Sequence, residues 1–209
     1  MGVSSDSSLR AYQDPRSRII FLIITSVLLS ADLLVKHLAF ANVADSAVVL
    51  THVNARPKET IPPHEPISVV PYILSLKLTT NPGAVFGLGK GGKWLFVTVS
   101  IVAVAVIIHV YWHSPAKRLV FHVALAMVLA GALGNLYDRI RFSAVRDMFW
   151  LFPSLKLPFG LTWFGGADGL YPWIFNLADA ALVIGVGLLV VVTWRTKPDQ
   201  QPGQASRAR

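Results

Sequence analysis

The sequence predicts an all-α membrane protein of four transmembrane helices, with a small extracytoplasmic β-rich cradle and a membrane-surface flap. Three observations predict it. Of 209 residues, 54% are apolar and only 14% charged, and the mean hydropathy is +0.55, which is not the balance of an ordinary soluble domain. Four apolar runs reach the length that crosses a hydrocarbon core, roughly 20 residues each. Between them lie two long excursions rich in proline, glycine and polar residues.

Residues 1–18 are polar and Ser-rich and carry Arg10, Arg16 and Arg18, a cytoplasmic N-terminal segment in this reading. The first span follows at about 19–40. Its Asp32, Lys36 and His37 do not fit the short apolar core and small-residue cleavage site of a cleaved leader. Asp32 and Lys36, four residues apart, share a helical face and neutralise each other as a structural ion pair. The excursion 41–93 holds Pro57, Pro62, Pro63, Pro66 and Pro71, too many interruptions for a long helix. Within it Leu74 to Thr79 alternates apolar and polar residues, the period of a half-buried strand. That strand runs into Asn81-Pro82-Gly83, where the chain must turn and an amide is free to bind.

Gly87, Gly89 and Gly92 imitate a dinucleotide fingerprint, and Gly87 to Lys93 imitates a phosphate loop. Trp94 stands where magnesium would need Ser or Thr, and a membrane span follows instead of a βαβ unit, so nucleotide binding is excluded and a glycine hinge is expected. The second span, 94–112, is bracketed by tryptophans that suit the headgroup level. After a turn at 113–118 the third span, 119–137, presents Ala126, Ala130, Gly131 and Gly134 as a small-residue face for close helix packing. The second excursion, 138–172, begins with Arg139, Arg141 and Arg146 and continues as an aromatic flap. The fourth span is expected at 173–194 and a basic cytoplasmic tail at 195–209.

Four spans place both termini on one side. The termini and the tight turn carry nine Lys or Arg, as do the two excursions, but short segments close to span ends dominate orientation. The termini are therefore read as cytoplasmic and the excursions as facing out. The net charge of +8 is scattered through loops and tails, not gathered with aromatics on one stripe, so it marks membrane flanks and not a nucleic-acid partner.

The chemistry-bearing residues gather on the excursion side: Asn81, Asn135, Asp138, Arg139, Asp147, Asn176 and Asp179. Cysteine is absent, there is no His-Glu-x-x-His or Gly-x-Ser-x-Gly, and the histidines are scattered. Nucleophilic and zinc mechanisms therefore lack their parts. Two carboxylates sharing a proton remain, one to activate water and one to protonate the carbonyl or leaving amine. Asp179 follows Asn176 by three residues, so both fit one helical face. Asp138, among Arg139, Arg141 and Arg146, is read as mainly structural, and Arg139 as a guanidinium fork for a carbonyl.

Asn81-Pro-Gly-Ala-Val-Phe-Gly, Gly134-Asn-Leu-Tyr-Asp-Arg139, Val145-Arg-Asp147 and Phe175-Asn-Leu-Ala-Asp179, in this order on four spans, resemble the lipoprotein signal peptidase (signal peptidase II) family, from about Asp32 to about Gly187. The resemblance implies an aspartyl endopeptidase of the bacterial inner membrane that acts on diacylglyceryl-modified prolipoproteins and cuts before the lipidated cysteine. It implies Asp147 and Asp179 as the catalytic dyad and no metal or cofactor. It further implies Asn81, Gly83, Asn135, Arg139 and Asn176 as substrate-placing residues, with Asp32, Lys36 and Asp138 in support. Three features depart from the family pattern: Met148 separates Asp147 from Phe149, the 148–172 loop is long enough for Phe159 to Gly169 to lie over a lipid groove, and the tail and first excursion are extended.

Two other classes compete. A non-catalytic four-span bundle, such as a proton relay or transporter subunit, predicts acids spread through the membrane depth. A Gly-x-Gly-Asp protease would have to use Gly165-Gly166-Ala167-Asp168, which lies outside any span.

Overall fold

The computed structural model of the protein describes residues 9–50, 61–83, 92–163 and 165–195. Residues 1–8, most of the glycine-hinge segment 87–93 and the tail beyond residue 195 lie outside the described residues. Four helices are long and apolar enough to cross a membrane: α1 (Pro15–Asn42), α2 (Gly92–His113), α3 (Leu119–Phe142) and α4 (Leu177–Arg195). A four-stranded antiparallel sheet joins them, with β1 (Ile67–Val70), β2 (Leu74–Asn81), β3 (Val145–Leu151) and β4 (Ile174–Phe175) neighbouring one another in that order. The bundle and cradle expected from the sequence are both present.

Helix α3 is the hub. In its most apolar window 61% of residues are buried, against 17–22% in the other three, so α1, α2 and α4 pack around it and show apolar faces outward. Its glycines allow this. A Cβ on Gly131 would run into the Ala178 carbonyl and Leu182 of α4, and one on Gly134 into the Asp32 carboxylate of α1. From the α4 side, a Cβ on Gly185 would meet Val128 Cγ2 at 2.8 Å. The small-residue face therefore sets the distance at which polar groups on three helices can meet.

The ends of the bundle are pinned differently. Near the start of α1, Asp14 caps the helix by accepting the Ser17 N–H at 2.8 Å, and Pro15 fills the first helical position. Ser17 Oγ and Ser114 Oγ each lie 2.8 Å from a ring nitrogen of the buried His122, and Tyr111 OH lies 3.3 Å from Ser17 Oγ. This polar clasp ties α1, α2 and α3 together, and an isolated bridge between Arg10 and Pro115 lays the N-terminal segment on the α2–α3 turn.

At the opposite end α1 runs under the sheet. Ala39, Phe40, Val43, Ala44 and Val48 pack with Leu78 and the fully buried Met148. Met148, the residue that intrudes between Asp147 and Phe149, is thus a core residue of the cradle. Helix α3 continues to Phe142, past the Tyr137 at which its apolar run ends, and α4 starts at Leu177, after β4 has used the residues following Trp173. Asp138, Arg139 and Arg141 can stay helical because protein groups satisfy Asp138 and the left-handed Ser143 closes the helix with its N–H on the Arg139 carbonyl at 3.1 Å.

The flap 152–173 is a folded-back arm. Leu157 N–H donates to the Asp168 carbonyl at 2.8 Å, Leu170 N–H to Leu155 at 2.7 Å, and Lys156 pairs with Asp168 at 2.6 Å on its exposed side.

Gly134→Ala is expected to lower stability by about 2 kcal/mol, through overpacking against Asp32. Gly187→Ala meets nothing within 4 Å and is expected to be neutral or stabilising by about 0.5–1 kcal/mol through helix propensity. Thermal unfolding of the two variants in one detergent checks the pair.

Candidate active site

The first turn of α4 is closed by its own sequence. Asn176, at the N-cap, accepts the Asp179 N–H on Oδ1 at 2.9 Å, while Asp179 Oδ2 accepts the Asn176 N–H at 3.2 Å. This reciprocal box, with aspartate in the place usual for Glu or Gln, turns the Asp179 carboxylate back toward the strand that precedes the helix. That strand, β4, pairs Phe175 with Phe149 and Ile174 with Trp150 of β3. Asp147 lies two residues before Phe149 on β3, so the pairing sets it beside Asn176.

Two asparagines then link the two acids. Asn176 Nδ2 donates to Asp147 Oδ1 at 2.6 Å and to Asn135 Oδ1 at 3.2 Å. Asn135 Nδ2 donates to Asp179 Oδ1 at 2.8 Å. Asn135, Asn176 and Asp147 are buried, whereas Asp179 is half-buried, so the pair is open on the Asp179 side. Burial is the main reason the Asp147 carboxyl is pushed up to about 7, and the nearby charge of Asp179 adds to it. The hydrogen bond from Asn176 and the charge of Lys36 oppose the rise. A carboxyl raised to about 7 can exchange its proton near neutral pH, as acid–base chemistry needs.

Behind the pair lies a buried ionic cluster. Lys36 Nζ is 2.8 Å from Asp32 Oδ2 and 3.4 Å from Asp138 Oδ2. Asp138 is gripped by Arg146: the backbone N–H donates to Oδ2 at 3.0 Å, and Nε and Nη2 donate to Oδ1 at 3.1 and 2.8 Å. Asp32 Oδ1 accepts the Ala178 N–H at 2.9 Å, capping α4 from α1. The expected Asp32–Lys36 pair is present, and Arg146 is the arginine that holds Asp138.

The remaining expected site residues lie on α3 and at the end of β2. Arg139 places its guanidinium over the Phe96 ring at 5.6 Å, within electrostatic reach of Asp179, Asp147 and Asp138. Its Nε is buried without a hydrogen-bond partner among the described residues. Asn81 is exposed at the end of β2 opposite Val145, two residues along β3 from Asp147. Its Oδ1 accepts the Gly83 N–H at 2.9 Å. Gly83 has φ +79°, and a Cβ there would overlap the Phe96 ring. What Gly83 contributes is a turn after β2 that passes close against the Phe96 ring of α2. Asp168 pairs with Lys156 on the exposed arm, which leaves the Gly-x-Gly-Asp reading without a partner acid. Asp32, Asp138, Asp147 and Asp179 all meet at one end of the bundle, unlike a relay spread through its depth.

Two features had no sequence signal that reading residue by residue could find. The Asp32 cap on Ala178 and the bond of Lys36 to Asn135 at 3.2 Å both join residues distant in the chain. Only β2 showed alternation; β3 has the burial of a strand covered on both faces at its start, and β4 is two residues long.

Comparison with known proteins is consistent with this geometry. Residues 22–195 match the family model for signal peptidase (SPase) II. A lipoprotein signal peptidase of Desulfitobacterium hafniense is 35% identical over 61% of this chain and 74% of its own length. One from Anoxybacillus flavithermus is 37% identical over 69% and 77%. A solved bacterial membrane enzyme shares the fold, with TM-score 0.62 and 22% identity over 88% of this chain and 93% of that one. With most of its length matched and four membrane-length helices gathered around a set of buried carboxylates, the chain belongs to the signal peptidase II family of bacterial multi-pass membrane proteins, aspartic endopeptidases that remove signal peptides from prolipoproteins.

Proposed function

We propose that this enzyme hydrolyses the signal peptide of diacylglyceryl-modified prolipoproteins immediately before the lipidated cysteine, with Asp147 and Asp179 as the catalytic dyad. The observation that carries the reading is the mutual hold of the two carboxylates by Asn135 and Asn176, with one carboxyl pushed up to about 7. The ionised member takes a proton from water while the water oxygen bonds to the scissile carbonyl carbon. The protonated member gives its proton to the carbonyl oxygen. As the tetrahedral diol collapses, the carbon–nitrogen bond breaks, the first acid protonates the leaving amine and the second regains its proton from the diol. Water and one amide become one acid and one amine, and both carboxyls return to their starting states.

Arg139 and Asn81 flank the opening and suit a peptide carbonyl and a backbone N–H of the substrate. The substrate's acyl chains stay in the bilayer, so a pair at the interface reaches the scissile bond without extracting them. The orientation proposed has both termini cytoplasmic and the site near the outer face of the inner membrane. It is supported by the basic N-terminal segment bridging to the Pro115 turn at the end opposite the carboxylates. The arm 152–173, with Phe159 98% exposed at its tip, is proposed to cover the lipid chains of the bound substrate.

Asp147→Asn and Asp179→Asn are each expected to lower cleavage of a lipidated model prolipoprotein by about 10³-fold or more while the protein remains in the membrane fraction. An unlipidated substrate is expected to remain uncut by the unmodified enzyme. Appreciable residual cleavage in either variant would sink the dyad.

Because Asp147 holds its proton up to about pH 7, turnover is expected to decline as pH rises through that value. The folded state binds this proton more tightly than the unfolded chain, so the same group favours folding at low pH and loses that contribution as pH rises toward 7. Rates and melting curves from pH 5 to 9 test both signs. Phe159→Ser with Leu161→Ser is expected to raise KM for the lipidated substrate several-fold at unchanged kcat. Unchanged KM would remove the arm from substrate binding.

A further inference from the structure

Lys36 is fully buried, and its ammonium can only donate hydrogen bonds. Besides Asp32 and Asp138 it has one other partner, Asn135 Oδ1 at 3.2 Å. That contact fixes which way the Asn135 amide points. Turned over, it would set an NH2 group against an ammonium and a carbonyl oxygen against the Asp179 carboxylate, two repulsions in a buried site. The observed sense is the one in which Nδ2 faces Asp179 Oδ1.

The orientation propagates. Asn135 Oδ1 also accepts from Asn176 Nδ2, so the Asn176 amide has its donor side toward Asn135 and Asp147 and its oxygen toward the Asp179 N–H. The two carboxylates consequently receive unequal sets of donors. Asp179 accepts N–H groups on both oxygens, from Asn135 Nδ2 and the Asn176 backbone. Asp147 accepts on Oδ1 alone, from Asn176 Nδ2, among the described residues. A carboxylate with a donor on each oxygen is the better place for negative charge, and one with an uncommitted oxygen is the better place for a proton.

We propose that Lys36, acting through the Asn135 amide, is the positioning residue that divides the labour of the pair, making Asp179 the base that activates water and Asp147 the acid that protonates the carbonyl. The assignment rests on the dyad reading and deepens it. It also gives Asn135 an orienting role in place of a purely substrate-placing one.

Among the described residues, the other nearby charges make no hydrogen bond to the linking asparagine side chains. From α3, Arg139 faces Asp179, Asp147 and Asp138 with no hydrogen bond to either asparagine. Asp138 and Arg146 satisfy each other, and Asp32 is committed to Lys36 and the Ala178 N–H. Lys36 alone among these side chains touches an amide of the linked pair.

The test is a pH–rate series on the purified enzyme with a lipidated model prolipoprotein, comparing unmodified protein, the charge-balanced double variant Lys36→Met with Asp32→Asn, Asn135→Ala, and all three changes together. The double variant is expected to lose kcat by about tenfold or more with KM little changed, and its acid limb is expected to move to higher pH by about one unit. Asn135→Ala, which keeps Lys36 with both of its acids, is expected to move the limb the same way, and the triple variant no further. A limb that stays in place, or shifts that add in the triple variant, overturns the proposal. If the double variant fails to accumulate in membranes, Asn135→Ala decides: an unmoved limb overturns the proposal and a moved one supports it. Failure of the dyad itself is separate, because it shows as residual cleavage in Asp147→Asn or Asp179→Asn.

Discussion

A bare ammonium in the interior of a membrane bundle is the constraint around which this structure is arranged. Lys36 and Arg146 bring two positive charges into a buried region, and Asp32 and Asp138 bring two negative ones, all tied by contacts of 2.8–3.4 Å. Removing one member of such a set strands the others, at a typical loss of about 3–5 kcal/mol. The set cannot be assembled unless α1, α3 and β3 come close, and the approach of α1 to α3 is what Gly134 permits, since any side chain there would occupy the place of the Asp32 carboxylate. Backbone spacing and charge neutralisation are one requirement seen from two sides.

The same constraint explains why polar residues near the ends of apolar helices can remain helical. Lipid offers no partner to Asp138 or Asn135, so the protein supplies every partner itself. Asn176 and Asp179 go further and use each other, closing the first turn of α4 with hydrogen bonds local to it. The carboxylate facing the opening is thereby held on a helix and the buried one on a paired strand, two elements whose side-chain directions are set by backbone hydrogen bonds. Preorganisation of this kind comes from regular structure, in contrast with sites carried on loops.

How much of this was legible in the sequence follows from the range of each interaction. The four spans were readable because hydrocarbon length is a local property, and Asp32 with Lys36 because four residues make one helical turn. The two aspartates and their asparagines were readable as an ordered set of short motifs. What was hidden was cross-chain: β3 lacks alternation because its first residues are covered on both faces, and β4 is too short to have a period. Phe142 ends α3 later than its hydrophobicity suggests because Arg146, four residues past the helix, supplies the partner that lets Asp138 stay inside it. The orienting contact of Lys36 with Asn135 spans 99 positions, beyond any spacing rule.

The cap that Asp32 places on the Ala178 N–H joins α1 to α4. During synthesis α1 emerges from the ribosome long before α4, so for most of that time Asp32 waits without this partner. Asn176 and Asp179, which complete the proposed dyad, arrive on the same late segment as Ala178. On the proposed dyad, a chain without α4 in place lacks both Asp179 and the Asn176 amide that holds Asp147, so the carboxyl pair exists only once the α4 segment has joined α1 and α3.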